Sequence, residues 1–306
     1  MSTSLALSAQ PLKSTTVRAS RRRRARLPAS FVWLRRTFAW LGPRAPALSA
    51  ALAERVFRTP PPYRSEAGER DALYFGDPLR VDFAGRALQA WSFGEGPTVL
   101  LVHGWGGRAT QLRAFIDPLV RAGHRVVLFD GPGHGASGAG ASSLPQFGAA
   151  IAAVIRAVGP VHGIVAHSMG APATVLAMEQ VGGSPHLVFI APPAELRDVT
   201  ARFGRAFAIP KDVVTRMERR IERRFLRPME AYDLPRWAAR SGSALLVIHD
   251  TLDREIPFTD GERVARSWRA PLFATTGLGH VKLLREPAVV DRAVAFVTAA
   301  PPLPAA

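Results

Sequence analysis

Four short stretches carry the residue types from which acyl chemistry is built: HGWGG (103–107), AHSMG (166–170), HDTLD (249–253) and GLGH (277–280). Ser168 stands between Ala166 and Gly170, small residues two positions to either side. A serine set between an apolar run and a helical one fits a tight, strained turn that lifts the hydroxyl clear of the backbone. Unpaired amides at the start of the helix, together with its dipole, favour negative charge there, so the Met169 N–H is expected to face a developing oxyanion. The glycine-rich loop after His103 can supply a second donor, the Trp105 N–H. Two such donors suit a tetrahedral intermediate, and deleting one typically costs about 3–4 kcal/mol of transition-state stabilisation.

The hydroxyl needs a base, and imidazole matches neutral pH. His280 qualifies, following the flexible Gly277-Leu278-Gly279. It needs a carboxylate to fix its tautomer, and Asp250 and Asp253 compete for that role. Asp250 closes an apolar run and could cap a turn. Asp253 has more freedom to reach across, and is preferred. The side chains of Trp105 and Met169 are expected to line an apolar acyl pocket. His103 is read as a loop organiser, His167 as structural with its side chain pointing away, and Asp130 and His134 as pins of a turn-rich loop. No third ligand at metal spacing accompanies them, so no metal site is expected, and acyl transfer on these groups requires no cofactor. The loop after His103 lacks the Lys-Ser/Thr ending of a phosphate-binding loop, and its glycines lack dinucleotide spacing.

Elements must bring these residues together. The runs TVLLV (98–102), RVVLFD (125–130), VHGIVAH (161–167), LVFI (187–190), ALLVIH (244–249) and PLFATT (271–276) read as strands, preceded by alternating strands at 80–83 and 87–92. Helical spacing of apolar residues marks 109–122, 144–158, 170–181, 259–268 and 287–298. The series implies an α/β fold, a mostly parallel sheet with helices on both faces. In such sheets ligands sit beyond the carboxyl ends of the strands, where the four stretches fall. The charged segment 195–240 interrupts the alternation and is expected to form a short helical lid. Its Phe203, Phe207, Ile209, Phe225 and Leu226 suit either an acyl pocket or packing against the body. Its arginines, mixed with Glu218 and Glu222, read as a solvated face with i,i+4 pairs.

HGWGG, DGPGHGASG (130–138), AHSMG, HDTLDREIP (249–257) and GLGH, in that order, resemble the α/β-hydrolase fold superfamily, serine-nucleophile branch, over about residues 70–299. The resemblance implies an esterase- or lipase-like enzyme with Ser168 as nucleophile, Asp253 as its carboxylate and His280 as its histidine. Ala166 departs from the glycine common at the first position of that turn. The serine argues against the family's dehalogenase and epoxide-hydrolase branches, which carry Asp there.

The chain has 306 residues, 47% of them hydrophobic, enough for a large core, and no cysteine, which excludes disulfides and a thiolate nucleophile. The formal charge is +16, but residues 1–60 hold 12 Lys/Arg against the single acid Glu54, while 195–240 hold 12 against 7. Two regions are therefore expected: a basic, partly disordered extension (1–60) and a hydrolase domain (61–306). The run Arg21–Arg24 comes without a finger, a helix–turn–helix or a stacking platform, so no nucleic-acid partner is expected. FVWLRRTFAWL (31–41) could lie on an anionic membrane surface, cover an apolar groove of the body, or belong to an overlong reading-frame start. Arg35-Arg36-Thr37-Phe38 is similar to a twin-arginine export signal, although Arg44 and Pro46 break the apolar region that should follow. The resulting expectation is a cytoplasmic serine hydrolase, with membrane association through the N-terminal extension as an option, that cleaves an apolar carboxylic ester or thioester through an acyl-enzyme. A cofactor-free haloperoxidase or carbon–carbon bond hydrolase on the same triad, or a non-catalytic scaffold, stands as the alternative. Oligomeric state is unreadable from the sequence.

Overall fold

The computed structural model describes residues 28–61, 71–138 and 140–299. The run Arg21–Arg24 and most of the turn-rich stretch 59–69 lie outside the described residues. Eight strands form one sheet: β1 (Asp77–Phe83), β2 (Arg86–Phe93), β3 (Thr98–Val102), β4 (Arg125–Phe129), β5 (Val161–His167), β6 (His186–Ile190), β7 (Leu245–Asp250) and β8 (Leu272–Thr275), in the order β1-β2-β4-β3-β5-β6-β7-β8. β1 pairs antiparallel with β2, and β2 antiparallel with β4; every later pairing is parallel.

The helices are α1 (Ala29–Arg44), α2 (Pro46–Phe57), α3 (Ile116–Arg121), α4 (Leu144–Val158), α5 (Gly170–Val181), α6 (Leu196–Phe207), α7 (Lys211–Phe225), α8 (Leu234–Trp237), α9 (Phe258–Trp268), α10 (Gly279–Lys282) and α11 (Pro287–Val297). Side chains alternate across a strand, and this divides the core in two. Leu100, Val102, Ile164 and Phe189 pack with α4, α5 and α9 on one face. Val99, Leu101, Val165 and Val188 pack with α3 and α11 on the other. Each fully buried aliphatic side chain contributes roughly 1.5–3 kcal/mol of transfer free energy, so it is the double coverage that makes TVLLV buried at all five positions.

One expectation changes. The helix expected over 109–122 is a 3₁₀ turn over Ala109–Phe115 followed by α3. Pro118 has no amide to bond back to residue 114, and its ring crowds that carbonyl, so one continuous α-helix cannot form. Residues 29–57, within the basic extension, form a helical pair. Pro46 starts α2 at its first position, where a missing N–H costs nothing. Between β6 and β7, the stretch expected to be a lid contains α6, α7 and α8.

Burial holds several histidines neutral. It lowers His103 to about 4, and His134 and His167 to about 3, with neighbouring charges as lesser causes. His124 and His186, on either side of His162 at ring separations of 5.3 Å, one tilted and one edge-on, are also lowered, first by burial. Below about pH 6.5 the unfolded chain takes up protons that the folded chain refuses, so each such histidine removes up to about 1.4 kcal/mol per pH unit as pH falls. Asp233, raised by burial to about 6, and Asp130 and Asp260, also raised first by burial, work in the opposite sense, but the lowered histidines outnumber them five to three. The urea midpoint is therefore expected to fall steadily from pH 6.5 to 5; a flat or rising midpoint contradicts this account.

Candidate active site

β3 lies between β4 and β5, so successive crossovers leave it toward opposite sides, and the crevice at its carboxyl end is where such sheets bind ligands. The loops after β3 and β5 both enter this crevice. Ser168, between β5 and α5, has φ +51°, a left-handed conformation that a side chain adopts only under constraint. That constraint comes from its own amide donating to the Ile190 carbonyl (2.8 Å) and from its carbonyl accepting the Ala171 amide (3.0 Å). A Cβ at Gly104 would come within 3.0 Å of Ser168 Cβ, and one at Gly170 within 2.6 Å of the His103 carbonyl. Only glycine at both positions lets the two loops approach this closely. Among the described residues neither the Trp105 nor the Met169 amide has an acceptor, and Met169 precedes the first turn of α5.

His103 organises this loop as expected: its Nδ1–H donates to the Gly104 carbonyl (2.7 Å) and its Nε2 accepts the Gly131 amide (2.9 Å). Asp130 accepts the Ala109 and Ala136 amides at 2.8 and 2.7 Å, tying the loop after β4 to the turn after β3. Burial raises its carboxyl, against those hydrogen bonds. His134 Nδ1 bonds the Pro132 carbonyl, and its ring stacks on Phe147. Among the described residues no cluster of His, Asp and Glu could hold a metal ion.

The acid that ends β7, Asp250, and the one in the loop after it, Asp253, divide the work. Asp250 accepts the Leu252, Gly277 and Leu278 amides and the Thr275 hydroxyl, fixing the turn that carries His280. Asp253, its side chain wholly buried, accepts the Glu255 and Ile256 amides on Oδ1 and His280 Nδ1–H on Oδ2 at 2.7 Å. Burial alone would raise the Asp253 carboxyl. Hydrogen bonds from His249, His280 and the Glu255 amide outweigh it and hold the group far below the usual carboxylate range. A carboxylate only accepts, so the His280 proton sits on Nδ1 and Nε2 is left basic. No hydrogen bond joins Nε2 to Ser168 Oγ; both side chains line one cavity, and such bonds commonly close only in the complex with the reacting molecule.

Two supports were not read from the sequence. His249 Nε2 bonds the Ile256 carbonyl (3.1 Å) and lies 3.5 Å from Asp253 Oδ2, while its other edge is pressed against Gly261. The His249/Asp253 spacing of four was the available signal. His167, expected to point away, instead bonds the His280 carbonyl through Nε2 (3.0 Å), with the rings 4.7 Å apart. The left-handed turn at Ser168 follows directly, so strand alternation does not decide where the next side chains go.

The cavity holds about 1240 Å³ and is mostly apolar. Trp105 and Met169 line it, as do Phe203, Phe207 and Phe225 of the insert; Ile209 is in the core, and Leu226, left-handed at the end of α7, is 92% exposed. α1 and α2 contribute Phe31, Leu34, Val56 and Phe57. Among the described residues its walls carry five arginines and one acid, Glu255. Arg58 pairs with Glu54 and Arg202 with Asp260, whereas Arg55, Arg205 and Arg254 have no carboxylate partner among the described residues. The i,i+4 pairs expected on α7 are replaced by longer reaches: Arg197 binds Glu218, Glu222 and Glu230, and Arg220 and Arg224 bind the buried Glu54 of α2.

A family model described as the alpha/beta hydrolase family matches residues 99–293, well over half of the chain. A 2-hydroxy-6-oxononadienedioate/2-hydroxy-6-oxononatrienedioate hydrolase from Escherichia coli O81 is 48% identical over 65 residues, 19% of this chain and 23% of that protein. The chain thus aligns with less than a quarter of the length of these curated relatives. Among solved structures, the Pyrococcus furiosus esterase Pf2001 aligns with TM-score 0.61 at 19% identity, covering 78% of this chain and 97% of the other. A bromoperoxidase from Bacillus anthracis aligns with TM-score 0.55 at 15% identity, covering 72% and 98%.

Asp253→Asn keeps the Oδ1 acceptor but offers His280 Nδ1 an amide in place of a carboxylate, which favours the wrong tautomer. Turnover is expected to fall about 10⁴-fold with the fold retained by circular dichroism. Asp250→Asn is expected to act mainly on stability, through the turn at 277–278. The reverse ranking in kcat would reassign the carboxylate.

Proposed function

Because the chain belongs to the α/β-hydrolase family, we propose that it is a hydrolase in which Ser168 is the nucleophile, His280 the proton carrier and Asp253 the carboxylate that orients it. One observation carries this reading: a left-handed serine shares a cavity with a histidine whose Nδ1–H is bonded to a buried carboxylate. His280 Nε2 takes the hydroxyl proton as Ser168 Oγ attacks a carbonyl carbon. The oxyanion is held by the Trp105 and Met169 amides, at the positive end of α5. His280 then gives its proton to the leaving group, and water activated by the same ring releases the acyl group.

The bond cleaved divides two readings. The relatives' name describes an oxo dioic acid that contains no ester or amide linkage, so hydrolysing such a compound breaks a carbon–carbon bond. Together with Arg55, Arg205 and Arg254 in the cavity wall, this favours an anionic oxo acid cleaved beside its ketone, ahead of the ester or thioester expected from sequence. A carbon leaving group departs with its electron pair, so the substrate needs an electron-withdrawing group beyond the scissile bond, which an oxo acid supplies. Ester or thioester hydrolysis uses the same protein groups, and the apolar cavity supports it.

Vinylogous oxo acids and acyl esters and thioesters of graded chain length, assayed side by side, separate these readings. Cleavage of the oxo acids with kcat/KM at least about tenfold above that of the esters is expected. Ser168→Ala is expected to reduce the preferred activity by roughly 10⁴- to 10⁶-fold. Activity that survives this substitution contradicts the nucleophile assignment.

A further inference from the structure

We propose that the outward face of α1, continued by Leu48 of α2 and the arginines of α7 that lie beside Ala47 and Ala50, is a docking surface for anionic lipid bilayers. α1 has two dissimilar faces. Its inner face is anchored to the insert: Phe31 and Phe38 pack on Phe207 at ring separations of 4.7 and 6.2 Å, and a Cβ at Gly42 would come within 2.7 Å of Pro210. Arg35 adds a hydrogen bond of 2.6 Å to the Ala206 carbonyl. These contacts fix which face looks outward.

That face carries Trp33, Arg36, Trp40 and Arg44, which at 100° per residue fall within about 80° of one another. Trp33 is 64% exposed and Trp40 60%, and Leu48, just beyond on α2, is 62% exposed. The Arg44 guanidinium lies 5.1 Å from the Trp40 ring. Two exposed indoles and a leucine next to arginines match the boundary between acyl chains and headgroups, where an indole buries its ring and an arginine keeps its charge in the headgroup layer.

Charge selects the sign of the lipid. α1 contains no acidic residue, and the only acid of α2, Glu54, is buried and engaged by Arg58, Arg220 and Arg224. On α7, Glu218 and Glu222 are turned toward Arg197. Arg216, Arg219 and Arg223, beside Ala47 and Ala50 of α2, have no carboxylate partner among the described residues. Asp212 is the one exposed acid on α7, against these arginines and Lys211. No helix of the described residues is long and apolar enough to cross a membrane; the arrangement is that of a surface-lying helix. A nucleic acid would use the arginines alone and leave the indoles and Leu48 exposed, so the bilayer accounts for more of the face. Phe31 and Leu34 of the same helix line the cavity that holds Ser168, so docking would set the cavity wall against the bilayer.

The test is co-sedimentation of the full chain with vesicles of phosphatidylcholine alone or with one-third phosphatidylglycerol, at 0.1 and 0.5 M NaCl. Binding is expected only with phosphatidylglycerol, weakened at high salt, with a blue shift of tryptophan emission. Trp33→Ala/Trp40→Ala and Arg216→Gln/Arg219→Gln/Arg223→Gln are each expected to weaken it at least tenfold, with circular dichroism and hydrolysis of a soluble substrate unchanged. A full chain with Arg21–Arg24 replaced by glutamine separates the tail from the helix. Vesicle binding lost in that variant but retained in the tryptophan double variant overturns the proposal. So does equal binding to both vesicle types, a preference for duplex DNA that depends on the same arginines, or self-association that protects Trp33 and Trp40 from quenchers.

Discussion

The site depends on a buried carboxylate that stays charged. Asp253 is withdrawn from water, which by itself favours its neutral form, and it remains ionised because two amides, His280 and His249 supply the hydrogen bonds that water would have given. The ionised carboxylate fixes the His280 proton on Nδ1; in the proposed mechanism this leaves Nε2 as the base and stabilises the imidazolium that would form as Ser168 is deprotonated. Without it, the strained serine and the two amides would have no proton carrier.

The rest of the fold delivers parts to that point. Parallel strands end their carboxyl termini along one edge, and the reversal of strand order around β3 opens a crevice there. Glycines at 104 and 170 allow the two loops to meet, and His103 and Asp130 tie the first of them to the loop after β4. Asp250 shapes the turn before His280, and His167 holds the His280 backbone. These hydrogen bonds join segments far apart in the chain, so the candidate catalytic groups are placed by tertiary structure, not by the flexible Gly277-Leu278-Gly279 that precedes His280.

Much of this was legible in the sequence because it rests on local signals. TVLLV is uninterrupted since both faces are covered, and AHSMG falls where an apolar run meets a helical one. The preference for Asp253 over Asp250 comes from its freedom to reach across and from the resemblance carried by HDTLDREIP. What escaped depends on partners remote in sequence. The glutamates of α7 are spaced for pairs within their helix, yet they serve Arg197, and Arg220 and Arg224 of α7 turn to Glu54, over 160 residues earlier. α1 interleaves arginines with aromatics and contains Pro43, so its two faces become distinct only once Phe207 and Pro210 define the inner one.

The most direct test of the central claim is a crystal structure of the chain after reaction with a fluorophosphonate, which leaves a tetrahedral phosphoryl group where the acyl intermediate would stand. The account predicts the phosphorus bonded to Ser168 Oγ, one phosphoryl oxygen 2.7–3.1 Å from both the Trp105 and Met169 nitrogens, and His280 Nε2 within about 3.2 Å of Oγ. A phosphoryl oxygen turned to solvent, or an adduct on any residue other than Ser168, would contradict it.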